Sequence, residues 1–306
     1  MKILLFGRNG QVGWELQRSL APLGELVALG SQRESNPHIG GHALHGDFMQ
    51  PEGLIDTIRA VRPDVIVNAA AYTAVDKAET DVSSARMVNA EAVSVLAQEA
   101  ELIGAVLVHY STDYVFDGSG EQLWRESDAT APLNVYGQTK LEGELAIQHS
   151  CRRHLIFRTS WVYAARGSNF AKTMLRLGQE RSALTVINDQ YGAPTGAELI
   201  ADVTALTIRQ LMQNPACTGL YHLVAHGETT WHGYASYALE RARKAGLPIQ
   251  VPANAISPVP TSAFPTAAAR PSNSRLNTER LRQTFGIHLP DWRTGVDRML
   301  AEMLPS

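Results

Sequence analysis

The sequence predicts an α/β protein in which a doubly wound parallel sheet is followed by a smaller, loop-rich C-terminal domain. Three features predict it: a buried strand that opens the chain, a regular alternation of short apolar runs with helical patterns, and the placement of eight of the 15 prolines in residues 215–290. Because parallel strands need crossover connections, the alternation puts helices on both faces of the sheet.

The composition of the 306 residues is that of an ordinary globular enzyme, with 44% hydrophobic and 19% charged residues. The 27 basic and 30 acidic residues give a net charge of −3, so neither a nucleic acid nor an anionic membrane is an expected partner. Two cysteines exclude a disulfide scaffold. The first apolar run is too short for a signal peptide, and no run is long enough to span a membrane, which together predict a cytoplasmic protein.

The first strand and the helix after it set the pattern for the first half of the chain. Lys2–Phe6 does not alternate polar with apolar residues, so it is predicted as a strand buried on both faces, and apolar residues recur at helical spacing in Gln11–Leu23. The segment Ser31–Gly46 is polar and is predicted as an exposed loop. Further strands are predicted at Glu25–Leu29, Asp64–Ala70, Ala105–Tyr110 and Leu155–Val162, and further helices at Asp81–Ile103 and Asn134–Ile147.

Beyond Tyr163 the alternation loosens, and a passage from Pro248 to Pro271 is too rich in proline to sustain a long helix. From length and pattern we predict a sheet domain over 1–165, with a returning segment near 186–225, and a second domain over most of 166–306. The predicted helices of this half are Asn169–Leu177, Ala197–Met212, Trp231–Ala245, Thr278–Thr284 and Asp291–Met303.

A glycine-rich turn joins the first strand to the first helix. Gly7, Gly10 and Gly13 have the spacing in which one glycine makes a tight turn, another admits backbone N–H groups to a pyrophosphate, and the last packs helix against strand. An anion there would also meet the positive end of the helix dipole. The position directly after a buried strand favours a Rossmann-like dinucleotide site, and a plain strand-to-helix turn is the alternative.

The end of the second strand bears on which dinucleotide binds. Folds that use NAD place an acidic residue there to hold the adenosine ribose, whereas this chain has Gly30 and, shortly after it, Arg33. The planar guanidinium of arginine suits a dianionic phosphate. This favours NADPH over NADH, and a simple loop arginine is the alternative.

Tyr136 and Lys140 stand four residues apart in a predicted helix, so their side chains lie on one face. A phenol with an ordinary pKa near 10 is a poor acid at neutral pH. An ammonium within about 4–6 Å lowers that pKa, and it can also hold the ribose of a nicotinamide cofactor. The pair predicts an acid–base site beside such a cofactor, and a solvated surface pair is the alternative.

Two other strand ends are predicted at the same edge of the sheet, where ligands of open α/β sheets bind. Ser111 and Thr112 end one apolar run, and either hydroxyl could donate to a carbonyl oxygen that becomes an alkoxide during hydride attack. Another run ends in the small residues Ala69, Ala70 and Ala71, which would let a cofactor lie flat on it.

These stretches resemble the extended short-chain dehydrogenase/reductases. The resemblance covers nearly the whole chain and implies NADPH-dependent reduction of the 4-keto group of dTDP-4-dehydro-L-rhamnose to dTDP-L-rhamnose, with NADH as the alternative reductant. The segments that carry it are Phe6–Gly13, Asn68–Glu79, Tyr110–Phe116, Ala131–Lys140, Arg158–Tyr163, Ile187–Thr195 and Arg270–Leu276.

The resemblance implies Tyr136 as proton donor, Lys140 as the group that lowers its pKa and holds the ribose, and Thr112 as the hydroxyl that tunes the site and orients the carbonyl. From the residues alone, Asp113 could instead cap its turn and Trp161 could fill the core. The implied sugar pocket consists of Thr73, Val75, Thr112, Asp113, Tyr114 and Trp161. The implied cofactor contacts, besides the glycines, are Gln11, Val12, Asp47, Phe48, Ala69, Ala70, Ala71, Tyr110, Tyr136 and Lys140.

Some members of the family dimerise through magnesium held by glutamates, and the matching positions are Glu15, Glu198 and Glu302. The resemblance therefore implies Mg²⁺ and a homodimer, while a solvated helix face is the alternative for each glutamate. The second domain is expected to hold the nucleotide portion of the substrate, with Arg270, Asn273 and Arg275 as candidates by charge and position.

Two rival functions remain open at this point. A nucleotide-sugar epimerase or dehydratase would use the same scaffold but regenerate its nicotinamide in each turnover. A non-catalytic, NADP-binding regulatory subunit is the other rival, and the intact pair of Tyr136 and Lys140 argues against it.

Overall fold

A computed structural model of the chain describes residues 1–32, 36–39 and 41–303. Arg33, a predicted cofactor residue, lies outside the described residues. The strands in these ranges are β1 Lys2–Phe6, β2 Glu25–Leu29, β3 His38–Ile39, β4 His42–Ala43, β5 Val65–Asn68, β6 Val106–Thr112, β7 His154–Thr159, β8 Val162–Tyr163, β9 Leu184–Ile187, β10 Tyr191–Gly192, β11 Thr195–Gly196, β12 Gly219–His222, β13 Thr229–Thr230 and β14 Ile256–Val259.

The helices surround a central sheet. Six strands form this sheet in the order β12-β7-β6-β5-β1-β2, and every neighbouring pair is parallel. The helices are α1 Gln11–Leu20, α2 Pro51–Val61, α3 Val75–Ala78, α4 Val82–Arg86, α5 Ala92–Ile103, α6 Val135–Ser150, α7 Phe170–Glu180, α8 Ala197–Gln213, α9 Trp231–Lys244, α10 Glu279–Phe285 and α11 Trp292–Met303.

Alternate side chains of β1 enter two different hydrophobic cores. Ile3 and Leu5 pack in the core that α1 and α8 cover, whereas Leu4 and Phe6 pack in the core that α2, α5 and α6 cover. All four side chains are fully buried, as expected for a strand with helices on both faces. The predicted doubly wound parallel sheet is therefore confirmed.

The predicted helix Asp81–Ile103 is interrupted by a π-helical turn at Met87–Glu91. Asn89 in this turn is buried, and its amide bonds the N–H and the carbonyl of Tyr72 at 2.9 and 3.1 Å and the hydroxyl of Thr139 at 3.2 Å. Through Asn89, the π-helical turn thus connects the segment after β5 to α6. The spacing of apolar residues in the sequence does not reveal such a turn.

Three elements between β2 and β5, namely α2, β3 and β4, were not predicted. Helix α2 begins at a proline, which suits a first helical position, and buries Leu54, Ile58 and Val61. Within the described part of the predicted loop Ser31–Gly46, β3 and β4 form a short antiparallel pair.

The C-terminal half contributes a further core, in which α7, α9 and α11 pack around Tyr234 and Trp292. Strand β12 lies at the edge of the main sheet beside β7. The division of the chain at residue 165 stays a prediction. None of the helices in the described ranges combines the length and the apolar character needed to cross a membrane.

Candidate active site

The glycine-rich turn packs tightly against the carboxyl end of the sheet. Gly7 has a φ of 83°, and a Cβ on it would lie 2.6 Å from the backbone of Ala69. A Cβ on Gly13 would lie 2.0 Å from the carbonyl oxygen of Gly7. Gly10, the N-cap of α1, offers no side-chain cap, so the first N–H groups of the helix are left for another acceptor.

The predicted residue pair lies on α6, which is fixed at its start by a cap. The side-chain oxygen of Asn134 accepts the N–H of Gly137 at 2.8 Å. A Cβ on Gly137 would come within 2.2 Å of the carbonyl oxygen of Tyr114, so this glycine lets α6 approach the turn after β6. The rings of Tyr136 and Tyr114 meet edge to face with centroids 5.7 Å apart.

Thr112 stands at the end of β6 and faces Tyr136. Its hydroxyl accepts the N–H of Tyr114 at 3.1 Å and donates to the carboxylate of Asp113 at 3.1 Å. Burial raises the pKa of Tyr136 to about 12, although a hydrogen bond with Thr112 acts in the opposite direction. In the free chain the phenol is therefore less acidic than an ordinary tyrosine.

Lys140 is turned toward β6. Its Nζ donates to the carbonyl oxygen of Tyr110 at 2.6 Å and lies 3.1 Å from Nε2 of His109. Burial lowers the pKa of Lys140 to about 8, while Glu144 raises it. Because the pKa of Tyr136 is raised in this state, the expected lowering by Lys140 stays a prediction for the cofactor-bound enzyme.

Asp113 is 2% exposed, accepts a hydrogen bond from Thr112, and contributes to raising the pKa of Tyr136. Burial raises the pKa of its carboxyl to about 7, against hydrogen bonds with Ser274 and Thr112 that lower it. The carboxyl is thus both a bracing group for its turn and a titratable group near neutral pH.

Asp113→Asn is expected to change how stability depends on pH. Because the folded pKa of about 7 lies above the unfolded value of 3.8, the stability present in acid is lost as the pH rises from about 4 through 7. Between pH 4 and pH 8, the free energy of unfolding of Asp113→Asn should rise relative to that of the wild type by on the order of a few kcal/mol. Urea unfolding of both proteins at pH 4 and at pH 8 measures this gain. If the variant and the wild type differ in unfolding free energy by the same amount at both pH values, the prediction is contradicted.

A cavity of about 550 Å³ lies beside the site and shares Tyr114 with it. Its walls are largely apolar, and two arginines lie at it, of which Arg270 is held by Asp76 through bonds of 2.7 and 3.1 Å. The residues that line the cavity include Tyr114, Phe170, Leu184, Val186, Trp231, Arg181 and Arg270.

Asn273 and Arg275 are not among the residues that line this cavity. The amide of Asn273 donates to the carbonyl oxygen of Gln122 at 2.8 Å and accepts from Arg275 at 2.8 Å, so both residues brace loops. Of the three candidates for the nucleotide portion, the structure therefore brings only Arg270 to the cavity.

Trp161 lies near the cavity in an unusual backbone conformation, with a φ of 49°. Its indole stacks on Trp231, which lines the cavity, with ring centroids 3.6 Å apart. A Cβ on Gly192 would lie 2.7 Å from the Trp161 ring, so this glycine makes room for it. Neither Trp231 nor Gly192 was predicted.

The other predicted contacts are spread along the carboxyl edge of the sheet. Thr73 is exposed on the segment between β5 and α3, and Val75, the first residue of α3, is half-buried. Phe48 packs edge to face on Phe6 with centroids 5.6 Å apart. The hydroxyl of Tyr110 bonds Thr204 of α8 at 2.8 Å, so its side chain lies in the core while its carbonyl faces Lys140.

Remaining predicted positions occupy the segments around the glycine turn. Asp47 accepts the N–H of Met49 at 3.0 Å, and Gln11 accepts from the amide of Asn169 at 3.2 Å. Val12 is half-buried on α1, Ala69 and Ala70 are half-buried, and Ala71 is exposed.

The three glutamates expected at a magnesium ion are arranged around arginines. Arg298 contacts Glu198 at 3.0 Å and Glu302 at 3.6 Å, and Arg18 contacts Glu15 at 3.6 Å. No cluster of three or more potential ligands that could hold a metal occurs within residues 1–32, 36–39 and 41–303. The structure therefore gives the magnesium expectation no support.

Comparisons with known proteins extend along the whole chain. Residues 1–304 match the family described as RmlD substrate binding domain. The chain is 59% identical over 303 residues to the dTDP-4-dehydrorhamnose reductase of Escherichia coli (strain K12), covering 99% of this chain and 98% of that protein.

Solved structures show the same likeness. A crystal structure of a dTDP-4-dehydrorhamnose reductase from Clostridium acetobutylicum has a TM-score of 0.87 at 32% identity and covers 99% of both chains. The enzyme of the same name from Bacillus anthracis, in complex with NADP, has a TM-score of 0.84 at 32% identity and covers 98% of this chain and 99% of that chain.

Proposed function

The chain belongs to the RmlD substrate binding domain family, and on that premise we propose that it reduces the 4-keto group of dTDP-4-dehydro-L-rhamnose with NADPH. It is a nicotinamide-dependent oxidoreductase, since its 59% identity to the Escherichia coli reductase extends over almost the full length of both chains. The observation that carries the specific proposal is the contact of Tyr136 with Thr112 and with Tyr114, a wall of the cavity.

In the proposed reaction, Tyr136 gives its phenolic proton to the carbonyl oxygen while C4 of the sugar receives a hydride. Thr112 lies beside the phenol, and its single O–H, which donates to Asp113 in the free chain, can turn to the carbonyl oxygen and so orient the ketone between the two hydroxyls. Thr112 is buried and Tyr136 is half-buried, so a substrate seated against them would shield the transferred proton from water.

The residues present fit a dinucleotide. The backbone at Gly7 and Gly13 leaves no room for a Cβ, and α1 presents uncapped N–H groups beside the turn, an arrangement that suits a pyrophosphate. When bound, NADPH supplies the hydride. Lys140 is the residue of this chain that holds the nicotinamide ribose in the proposal.

The substrate occupies the cavity next to Tyr114 in this proposal. Arg270 and Arg181 provide positive charge for the diphosphate, and the apolar walls suit the thymine ring. Trp161, stacked on Trp231, provides a flat face for the sugar. Thr73, Val75 and Asp113 complete the proposed sugar pocket.

A spectrophotometric assay tests the proposal. The purified protein, given dTDP-4-dehydro-L-rhamnose, is expected to oxidise one NADPH for each ketone reduced. An epimerase or dehydratase would consume no reduced cofactor in net turnover, and a regulatory subunit would bind the cofactor without turnover, so either result would contradict the proposal.

A binding experiment compares the two reduced cofactors. Because Gly30 replaces the acidic residue that holds the ribose of NAD, and Arg33 follows, NADPH is proposed as the preferred cofactor. Fluorescence titration is expected to give the lower dissociation constant for NADPH. Tighter binding of NADH would overturn the preference while leaving the reduction itself intact.

A further inference from the structure

A buried chain of polar groups runs behind the proposed active site. Nδ2 of Asn68 lies 3.0 Å from Nδ1 of His109, and Nε2 of His109 lies 3.1 Å from Nζ of Lys140. The three residues are exposed by 1%, 0% and 2% respectively, so solvent satisfies none of these atoms. Neither Asn68 nor His109 was assigned a role from the sequence.

The donors in this chain can be assigned from one fixed point, the backbone N–H of Ala70. It lies 3.0 Å from Oδ1 of Asn68, and because a backbone N–H can only donate, that atom must be the oxygen of the side-chain amide. The amide nitrogen of Asn68 therefore faces Nδ1 of His109 and donates to it. Nδ1 must then carry no proton.

A neutral imidazole with an unprotonated Nδ1 carries its proton on Nε2. That N–H is directed at Nζ of Lys140, 3.1 Å away. An ammonium has no lone pair to accept it, whereas a neutral amine has one. We propose that Asn68 and His109 are positioning residues that favour the neutral amine of Lys140 over its ammonium in the free chain.

The alternative assignments each place two donors against each other in a buried site. An ammonium at Lys140 requires Nε2 of His109 to accept, which moves the imidazole proton to Nδ1 and against the amide nitrogen of Asn68. Rotating that amide only transfers the conflict to the N–H of Ala70. Such a contact costs about as much as a buried unsatisfied donor.

The other groups that face Lys140 do not reverse this assignment. The carbonyl oxygen of Tyr110 on β6 accepts one N–H from either form. Glu144, one turn along α6, favours the ammonium, but its carboxylate is bound by Arg158 of β7 at 2.6 Å. Burial lowers the pKa values of both His109 and Lys140, the direction that favours two neutral groups, and with a pKa of about 8 Lys140 is mainly an amine above that pH.

The inference concerns the free chain and does not depend on the reaction. Under the proposed function it has one consequence: above about pH 8, the ammonium that holds the cofactor ribose forms on binding, when Lys140 takes up a proton from solvent. Positioning by His109 would thus link the charge on Lys140 to the loading of the site.

Nuclear magnetic resonance of the free, full-length protein tests the protonation of Lys140. The chain has only five lysines, so a spectrum of ¹³Cε-labelled lysine contains few signals, and the signal of Lys140 is identified by its loss in Lys140→Arg. We expect this signal to titrate at or below about 8, apart from the other four. Titration near the ordinary lysine value of 10.5 would overturn the proposal.

The histidine tautomer gives an independent readout. Long-range ¹H–¹⁵N spectra of ¹⁵N-histidine are expected to show His109 as the Nε2–H form, assigned by its loss in His109→Gln. An Nδ1–H form would refute the chain of donors. If His109→Gln does not fold, the same signal is assigned by its shift in Lys140→Arg.

His109→Gln also changes the titration of Lys140. The glutamine can turn its oxygen toward an ammonium, so the Lys140 signal should titrate about one pH unit higher. The control is His232→Gln on α9, whose imidazole bonds the carbonyl oxygen of Ile256 and should leave Lys140 unchanged. An unmoved titration in His109→Gln contradicts the positioning role. If these spectra are as expected but the protein does not reduce the ketone, only the proposed function is contradicted.

Discussion

Tyr136→Phe is expected to lower the rate of ketone reduction by about 10²–10⁴-fold, the usual contribution of a general acid. The variant removes the proton that the alkoxide needs but retains the ring, which packs edge to face on Tyr114 at 5.7 Å. The phenol is half-buried, and burial raises its pKa to about 12; phenylalanine has no proton to give in its place. Steady-state oxidation of NADPH with saturating keto-sugar measures the loss.

Two comparisons separate a chemical role from a structural one. NADPH should bind Tyr136→Phe about as tightly as the wild type, because the phosphate cradle at Gly7 and Gly13 is untouched. Tyr237→Phe is the matched control, since it also removes one tyrosine hydroxyl, bonded to Asp297 at 2.8 Å, on a different helix. Full turnover by Tyr136→Phe would refute the assignment of Tyr136 as proton donor.

The parts of the site that could be predicted from the sequence depend on local spacing. Tyr136 and Lys140 stand one helical turn apart, and the glycines of the first turn fix a strand-to-helix connection, so neither needs knowledge of distant contacts. The doubly wound sheet was predictable for a similar reason. Strand β1 is apolar at consecutive positions because both of its faces are covered.

The parts that could not be predicted depend on residues far apart in the chain. Lys140 was expected to act on Tyr136 because the two share a helix face, yet its amine bonds groups of β6 that lie about 30 residues earlier. Trp161 stacks on Trp231, 70 positions later in the chain, and this pairing decides where the cavity wall stands. The spacing of residues within one helix or strand does not indicate which other helix or strand their side chains face.

The same limit applies to the two arginines expected near the nucleotide portion of the substrate. Arg270 and Arg275 follow one another closely and carry the same charge, but only Arg270 lines the cavity, where it contacts the carboxylate of Asp76. Arg275 instead bonds the amide of Asn273. Charge and position in the sequence could not separate a residue at the cavity from one that braces a loop.

Arg158→Met is expected to destabilise the fold by about 3–5 kcal/mol, because it leaves Glu144 as a buried carboxylate without its partner. The two side chains are only 4% and 1% exposed, and the guanidinium of Arg158 bonds the carboxylate at 2.6 and 2.9 Å. Neither water nor salt can therefore replace the lost charge. The free energy of unfolding in urea measures the effect.

The double variant Arg158→Met with Glu144→Leu decides whether this loss comes from an unpaired charge or from lost packing. Replacing both charges with apolar side chains removes the uncompensated carboxylate, so most of the stability should return. Arg158 also lies over the ring of Phe116, at 4.9 Å from its centroid, a contact that methionine can partly replace. If the double variant is as unstable as the single one, the unpaired charge is not the cause. The pair would then stabilise the junction of α6 and β7 through its shape.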